Sequence, residues 1–324
     1  MSSWSYSRRE FLAAASVATT TLMLTPLAAG GNAAASPSPK AAPGAAGMAK
    51  PIMSRVIPAS GERIPVIGMG TSGTFEVGQS PQELDPLREV LGVFVASGAT
   101  VIDTAPTYGS AEDVLGTLLA EVPWRNKLFL ATKLSGVTGR AAGLAQFDAS
   151  LRRLRIKNVA LLQVHNLRDT DVQFKVAREL QEQGKTRYVG LTHYLESAQP
   201  ELALAMRRLR PDFVQINYSP VSRGAERTIL PLAEELGIAV MINRTFEDGR
   251  LFAQVRGKPL PAWANDVGAT SWAQLFLKFV LSEHAVTVVI PATSKRNNMI
   301  DNLGAGAGAL LDARQRADLI AAIG

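Results

Sequence analysis

Eight times along this chain a run of four to six largely apolar residues gives way to a longer stretch with helical spacing of its apolar positions. The runs are VIGMG (66–70), TVID (100–103), LFLAT (128–132), VALLQV (159–164), YVGLT (188–192), DFVQIN (212–217), AVMIN (239–243) and VTVVI (286–290). Near-continuous apolar strands of this length are buried on both faces, as in a parallel sheet covered by helices. Between them the spacing predicts helices over 110–121, 146–155, 171–184, 200–210 and 225–237, the last stopped by Gly237. In the first of these, Ser110 followed by Asp113 reads as a capping box. Eight βα units specify an α/β fold, the (β/α)8 or TIM barrel. A doubly wound open sheet is the architectural alternative. It would call for G-x-G-x-x-G between a strand and a helix, and GMGTSG (68–73) lies instead between a strand and a long loop. Ahead of the first barrel strand, SRVIPASGERIP (54–65) reads as a β-hairpin turning at Ser60-Gly61, placed to close the barrel bottom.

The remaining segments set the domain organisation. Arg8-Arg9, with Ser7 before and Phe11-Leu12 after, precedes an uncharged run rich in Ala, Leu and Thr, then an A-x-A-like site at Ala33-Ala34-Ala35. That pattern resembles a twin-arginine (Tat) export signal over residues 1–35. A Pro/Ala/Gly linker over 36–50 and the barrel over 51–324 follow. The expectation is an extracytoplasmic, periplasmic protein, exported folded by the Tat machinery, with no stable membrane span once the signal is removed. The sequence contains no cysteine, which excludes disulfides and thiolate metal sites. Its net charge of +6 is dispersed, with no Lys/Arg block suited to nucleic acid. The three histidines, His165, His193 and His284, are not spaced as a local metal-ligand pair, so no metal is expected.

In a (β/α)8 barrel the active site forms at the C-terminal ends of the strands. Those ends carry Asp103, Lys133, His165-Asn166, Thr192-His193, Gln215, Asn217 and Asn243-Arg244, with Tyr108 in the loop after Asp103. A free phenol has a pKa of ~10 and is a poor acid at neutral pH. An ammonium beside it stabilises the phenolate and lowers that value. Lys133 can supply the charge, Asp103 can hold the lysine, and His165 can donate to a carbonyl or to the phenol. A phenol tuned in this way is a general acid, suited to protonating the oxygen of a carbonyl as hydride reaches its carbon. A Schiff-base role for Lys133, as in an aldolase, needs a lowered lysine pKa, which Asp103 opposes.

The segment GATVIDTAPTYGSAEDVLG (98–116) resembles the signature of the aldo-keto reductase family. GERIPVIGMGT, LFLATK, ASLRRLRIKNVALLQVHN and VVIPATSKRNNMIDNL extend the resemblance in the right order over roughly residues 55–310. It implies reduction of aldehydes or ketones with NADPH, or with NADH as the alternative, by an Asp-Tyr-Lys-His tetrad that falls on Asp103, Tyr108, Lys133 and His165. It also implies cofactor contacts from Gly70, Thr71, Thr192, His193, Gln215, Asn243, Arg244, Thr293, Lys295, Arg296, Asn298 and Asn302. Several depart from the family's usual pattern: Thr192-His193 stands for Ser-Asn, and Asn243 for an aromatic that stacks on the nicotinamide. Those departures motivate a second reading, a nucleotide-binding barrel that serves as a redox sensor or partner subunit without turnover. Phe75 and Trp263 are the candidate pocket aromatics, and with no long loop after the last helix the pocket is expected to be open.

Overall fold

The computed structural model describes residues 51–324 apart from Trp124. The expected signal and linker, residues 1–50, lie outside the described residues. Strands β1 (Ser54–Val56) and β2 (Arg63–Pro65) form the antiparallel hairpin. Gly61 turns it at φ 76°, a left-handed conformation that glycine adopts without steric cost. The barrel strands are β3 (Met69–Gly70), β4 (Val101–Asp103), β5 (Phe129–Leu134), β6 (Val159–His165), β7 (Thr186–His193), β8 (Phe213–Asn217), β9 (Ala239–Asn243) and β10 (Val286–Val289). Each pairs in parallel with the next, and bridges Ile67↔Val289 and Gly70↔Ala292 join the first to the last. The eight-strand α/β barrel read from the sequence is therefore the fold, although β3 keeps only a two-residue ladder within the run expected over 66–70.

Helices α1 (Pro81–Ala96), α2 (Ala111–Ala120), α3 (Arg140–Leu154), α4 (Thr170–Glu182), α5 (Gln199–Leu209) and α6 (Ile229–Leu236) follow the first six barrel strands. Gly237 ends α6 in the left-handed conformation, as expected. The capping box at the start of α2 does not form: Ser110 Oγ donates instead to Val77 O at 2.6 Å, tying the helix to the loop after β3. Between β9 and the next full helix, α8 (Trp272–Leu281), runs a long connection carrying α7 (Arg250–Gln254). Helices α9 (Arg296–Gly304) and α10 (Ala313–Ile323) close the chain. Among the described residues no helix is long and apolar enough to cross a membrane.

Strand alternation sorts the core into two layers. Outward residues such as Ile102, Leu162, Val164, Leu191, Val214 and Ile242 pack under the helices. Inward residues, including Val101, Phe129, Ala131, Leu161, Tyr188, Phe213 and Met241, fill the barrel. Ile57 and Ile64 of the hairpin belong to that inner cluster, so the hairpin closes the bottom. Following each inward stripe upward by two residues leads from apolar to polar. Val101 is followed by Asp103, Ala131 by Lys133, Leu161 by Gln163 and then His165, Phe213 by Gln215, and Met241 by Asn243. The same parity that fills the barrel with hydrocarbon thus delivers polar groups to its C-terminal mouth.

Candidate active site

At that mouth Lys133, fully buried, donates from Nζ to Asp103 Oδ2 at 2.6 Å and to Thr104 O at 2.8 Å. The other carboxylate oxygen, Asp103 Oδ1, accepts from Gln163 Nε2 at 3.0 Å. β5 and β6 are in register at Lys133↔Gln163, which sets the two side chains next to one another. On the next strand Gly190 pairs with Gln163, and a Cβ there would lie 2.9 Å from Gln163 Cγ, so the glycine leaves room for the amide. A charged pair this deeply desolvated holds only when its remaining lone pairs and protons are satisfied. Thr104 O and Gln163 supply that satisfaction.

Tyr108 sits half-buried above the pair, with the ammonium of Lys133 5.1 Å from its ring centroid. Burial opposes the charge on Lys133, but Asp103 and Tyr108 outweigh it and the lysine pKa is raised. For Tyr108 the balance falls the other way from the sequence expectation. Burial raises its pKa by more than the Lys133 ammonium lowers it, and Asp103 adds to the rise. The resting phenol therefore holds its proton firmly. His165 completes the group, its ring edge-on to Tyr108 with centroids 6.0 Å apart. Burial, the Lys133 charge and His193 push its pKa down to about 3, so the imidazole is neutral at physiological pH. The four residues read from the sequence as a tetrad are brought together around one point.

Three of them, Asp103, Tyr108 and His165, line a cavity of about 700 Å³ together with Thr192, Gln215, Asn243 and Arg244. Gly70 and Thr71 line it as well. Gln215 Oε1 accepts from Thr192 Oγ1 at 3.1 Å and lies 3.4 Å from Asn243 Nδ2, while Gln215 Nε2 finds only the Met241 sulfur, at 3.0 Å. Asn166 Oδ1, Asn243 Oδ1 and Thr245 Oγ1 are buried in the cavity wall with no hydrogen-bond partner. Buried polar atoms are rarely left so. An adjoining cavity of about 420 Å³ is lined by Thr293, Asn298, Asn302 and Trp272, and shares Phe246, Phe252 and Ala292 with the first. Most of the expected cofactor residues thus divide between two neighbouring hollows.

Three of them take neither place. His193 turns away and accepts from Leu195 N at 3.1 Å, stacking on Tyr194. Lys295 and Arg296 stand exposed at the start of α9, beside Thr293. The two aromatics expected in the pocket are elsewhere: Phe75 is fully buried in the outer core layer, and Trp263 packs half-buried against that layer. The aromatic lining comes instead from Tyr194 and from Phe246 and Phe252 in the long β9–α8 connection. That connection, rather than a loop after the last helix, supplies this part of the cavity wall. Gln163 also escaped the sequence reading, although its position two residues before His165 on one strand places both on the inward face. No group of acidic or histidine side chains suited to a metal occurs among the described residues.

Comparison with known proteins bears on this site. A family model for the aldo/keto reductase family matches residues 66–323. "Probable aldo-keto reductase 1" of Glycine max is 29% identical over 287 residues, covering 73% of this chain and 78% of that protein. An aldo-keto reductase of Klebsiella pneumoniae, solved in complex with NADPH, superimposes with a TM-score of 0.68 at 25% identity, over 84% of this chain and 94% of the other. A further Klebsiella pneumoniae aldo/keto reductase structure, with NADP and acetate, gives a TM-score of 0.64 at 27% identity, over 80% and 91% of the two chains.

Proposed function

This chain belongs to the aldo/keto reductase family and is an NAD(P)H-dependent oxidoreductase, and we propose that it reduces aldehyde or ketone carbonyls with NADPH, Tyr108 giving the proton. The observation that carries this reading is the fully buried Lys133–Asp103 pair directly beneath a half-buried phenol at the wall of a substrate-sized cavity. The cavity also fits the nicotinamide end of a cofactor. A carboxamide carries both a donor and an acceptor, and the wall offers the unpartnered Asn166 Oδ1 and Asn243 Oδ1 together with Gln215 Nε2, which has only a sulfur partner. Thr293, Asn298 and Asn302 line the adjoining hollow, where the rest of a dinucleotide would run, with Lys295 and Arg296 at its edge supporting a 2′-phosphate.

When bound, the cofactor supplies the hydride that reaches the carbonyl carbon. The chain's own residues handle the proton. Burial keeps the Tyr108 proton in place until negative charge develops on the substrate oxygen. Once the proton has moved, the Lys133 ammonium stabilises the phenolate left behind, and Asp103 keeps that ammonium charged. Phe246, Phe252 and Tyr194 give the cavity wall an apolar surface against which a substrate's hydrocarbon can pack.

Tyr108→Phe removes the acid and little else. It should lower kcat for carbonyl reduction by about 10²–10⁴-fold, while NADPH affinity, measured by fluorescence titration, stays near wild type and exceeds that for NADH. A variant that reduces carbonyls at the wild-type rate would overturn the assignment. Export rests on Arg8-Arg9 and the uncharged run behind them. We place the enzyme outside the cytoplasm on that basis. Cell fractionation should find an Arg8→Lys/Arg9→Lys variant retained inside, and retention of the unaltered protein would refute the location.

A further inference from the structure

Two hydroxyls that the proton chemistry above does not use lie behind His165. Ser135 Oγ is hydrogen-bonded to His165 Nδ1, and Thr107 Oγ1 lies 2.9 Å from the same serine oxygen. Ser135 is 4% exposed, and its backbone is held on both sides by one side chain: its N–H donates to Gln146 Oε1 at 2.7 Å, and its carbonyl accepts from Gln146 Nε2 at 2.8 Å. The backbone that carries the serine hydroxyl is therefore held in place beside His165. Thr107 is exposed, so its own oxygen can accept from water while its proton points inward.

We propose that the Thr107–Ser135 hydroxyl pair sets the tautomer of His165, holding the ring with Nδ1 unprotonated and Nε2–H directed toward the cavity. The direction of the chain follows from basicity. A neutral imidazole has one N–H and one bare nitrogen. That bare nitrogen is a far stronger base than an aliphatic hydroxyl oxygen, so the hydrogen bond between Ser135 and His165 is favoured as O–H donating to Nδ1. Serine has a single proton. Giving it to Nδ1 leaves Ser135 Oγ to accept from Thr107, and each bond polarises the next. Both hydroxyls are then satisfied without a charged group.

The consequence bears on the reaction, and this part rests on the reductase reading. A carbonyl oxygen carries lone pairs only. Nε2–H would offer it a second donor beside Tyr108, whereas the opposite tautomer would present a lone pair to a lone pair. Ser135 and Thr107 are positioning residues in this account: they touch neither substrate nor cofactor and act through the histidine.

Three histidines in the whole chain make the test direct. Long-range ¹H–¹⁵N spectra of full-length protein labelled at histidine, with His165→Gln to assign the ring, report which nitrogen carries the proton. Wild type should show protonated Nε2 and bare Nδ1 for His165 across pH 5–8. Ser135→Ala should move that ring toward a mixture of tautomers and lower kcat about fivefold, the equivalent of one neutral hydrogen bond of ~1 kcal/mol, with NADPH affinity unchanged. Ser135→Thr, which keeps a hydroxyl, should restore both readouts, and Thr107→Val should fall between. A protonated Nδ1 in wild type, or a tautomer unmoved by Ser135→Ala, overturns the proposal. A tautomer that responds as described in a protein without carbonyl turnover upholds the hydroxyl pair and overturns the reductase reading instead.

Discussion

Replacing Asp103 by Asn removes a charge and almost no volume, and it leaves the Lys133 ammonium fully buried with only neutral oxygens, such as Thr104 O, to accept from it. Breaking a buried pair from one side costs about 3–5 kcal/mol because the surviving charge is uncompensated. For a chain of this size each kcal/mol moves Tm by roughly 2–4 °C, so a fall of roughly 6–20 °C is expected at pH 7. The pH dependence is the sharper signature. In the wild type the Lys133 pKa is raised above its ordinary 10.5. Its contribution to stability is therefore fully present below that value and fades only as pH climbs through the raised one. In Asp103→Asn the desolvation that opposes the charge is no longer outweighed, and the folded-state pKa drops below the unfolded one. The unfolded chain then binds more protons than the folded one, and stability rises with pH. Melting curves followed by circular dichroism should thus show the gap between variant and wild type narrowing from pH 7 toward pH 10. The exposed pair Arg207–Glu235 provides the control, since Arg207→Ala should leave Tm unmoved. A drop of less than ~2 °C, or a gap that ignores pH, would refute this account of the pair.

Two further outcomes follow from the geometry. The His165 pKa is pushed down to about 3 and that of Tyr108 lies above its ordinary 10.0, so neither group titrates near neutrality. The pH profile of kcat/KM for carbonyl reduction should accordingly be flat between about pH 5 and 9, and an inflection near the usual histidine pKa would show that the imidazole is not neutral in the free enzyme. Packing makes opposite predictions for two helical glycines. A Cβ at Gly116 would lie 2.0 Å from Arg153 O on α3, so Gly116→Ala should destabilise by about 1–3 kcal/mol or more in chemical denaturation. A Cβ at Gly92 in α1 meets nothing within 4 Å, and Gly92→Ala should stabilise by about 0.5–1 kcal/mol. Equal effects at the two positions would mean that α2 and α3 do not pack as closely as described.

The sequence by itself determined a parallel sheet wrapped by helices, because eight short apolar runs are buried on both faces that way, and eight βα units with no G-x-G-x-x-G between a strand and a helix pointed to the barrel rather than the open sheet. It also determined which side chains reach the mouth. Asp103, Lys133 and His165 end inward stripes that begin with hydrocarbon, and strand alternation carries that parity to the rim whatever the loops do. Gln163 obeys the same rule and was legible in principle. Tertiary structure decided what parity leaves open. Whether Ser110 caps its helix or bonds to Val77 depends on where the loop after β3 comes to rest. The sign of the Tyr108 shift depends on burial set by residues far apart in the chain, which here outweighs the lysine. Phe246 and Phe252 line the pocket while Phe75 fills the core, because the tertiary fold brings part of the long connection after β9 to the cavity wall. Ser135 meets His165 only because the strands ending at Leu134 and His165 are neighbours in the sheet. Local pattern fixes the face on which a side chain emerges, and closure of the barrel fixes its neighbours, since those contacts join residues tens of positions apart.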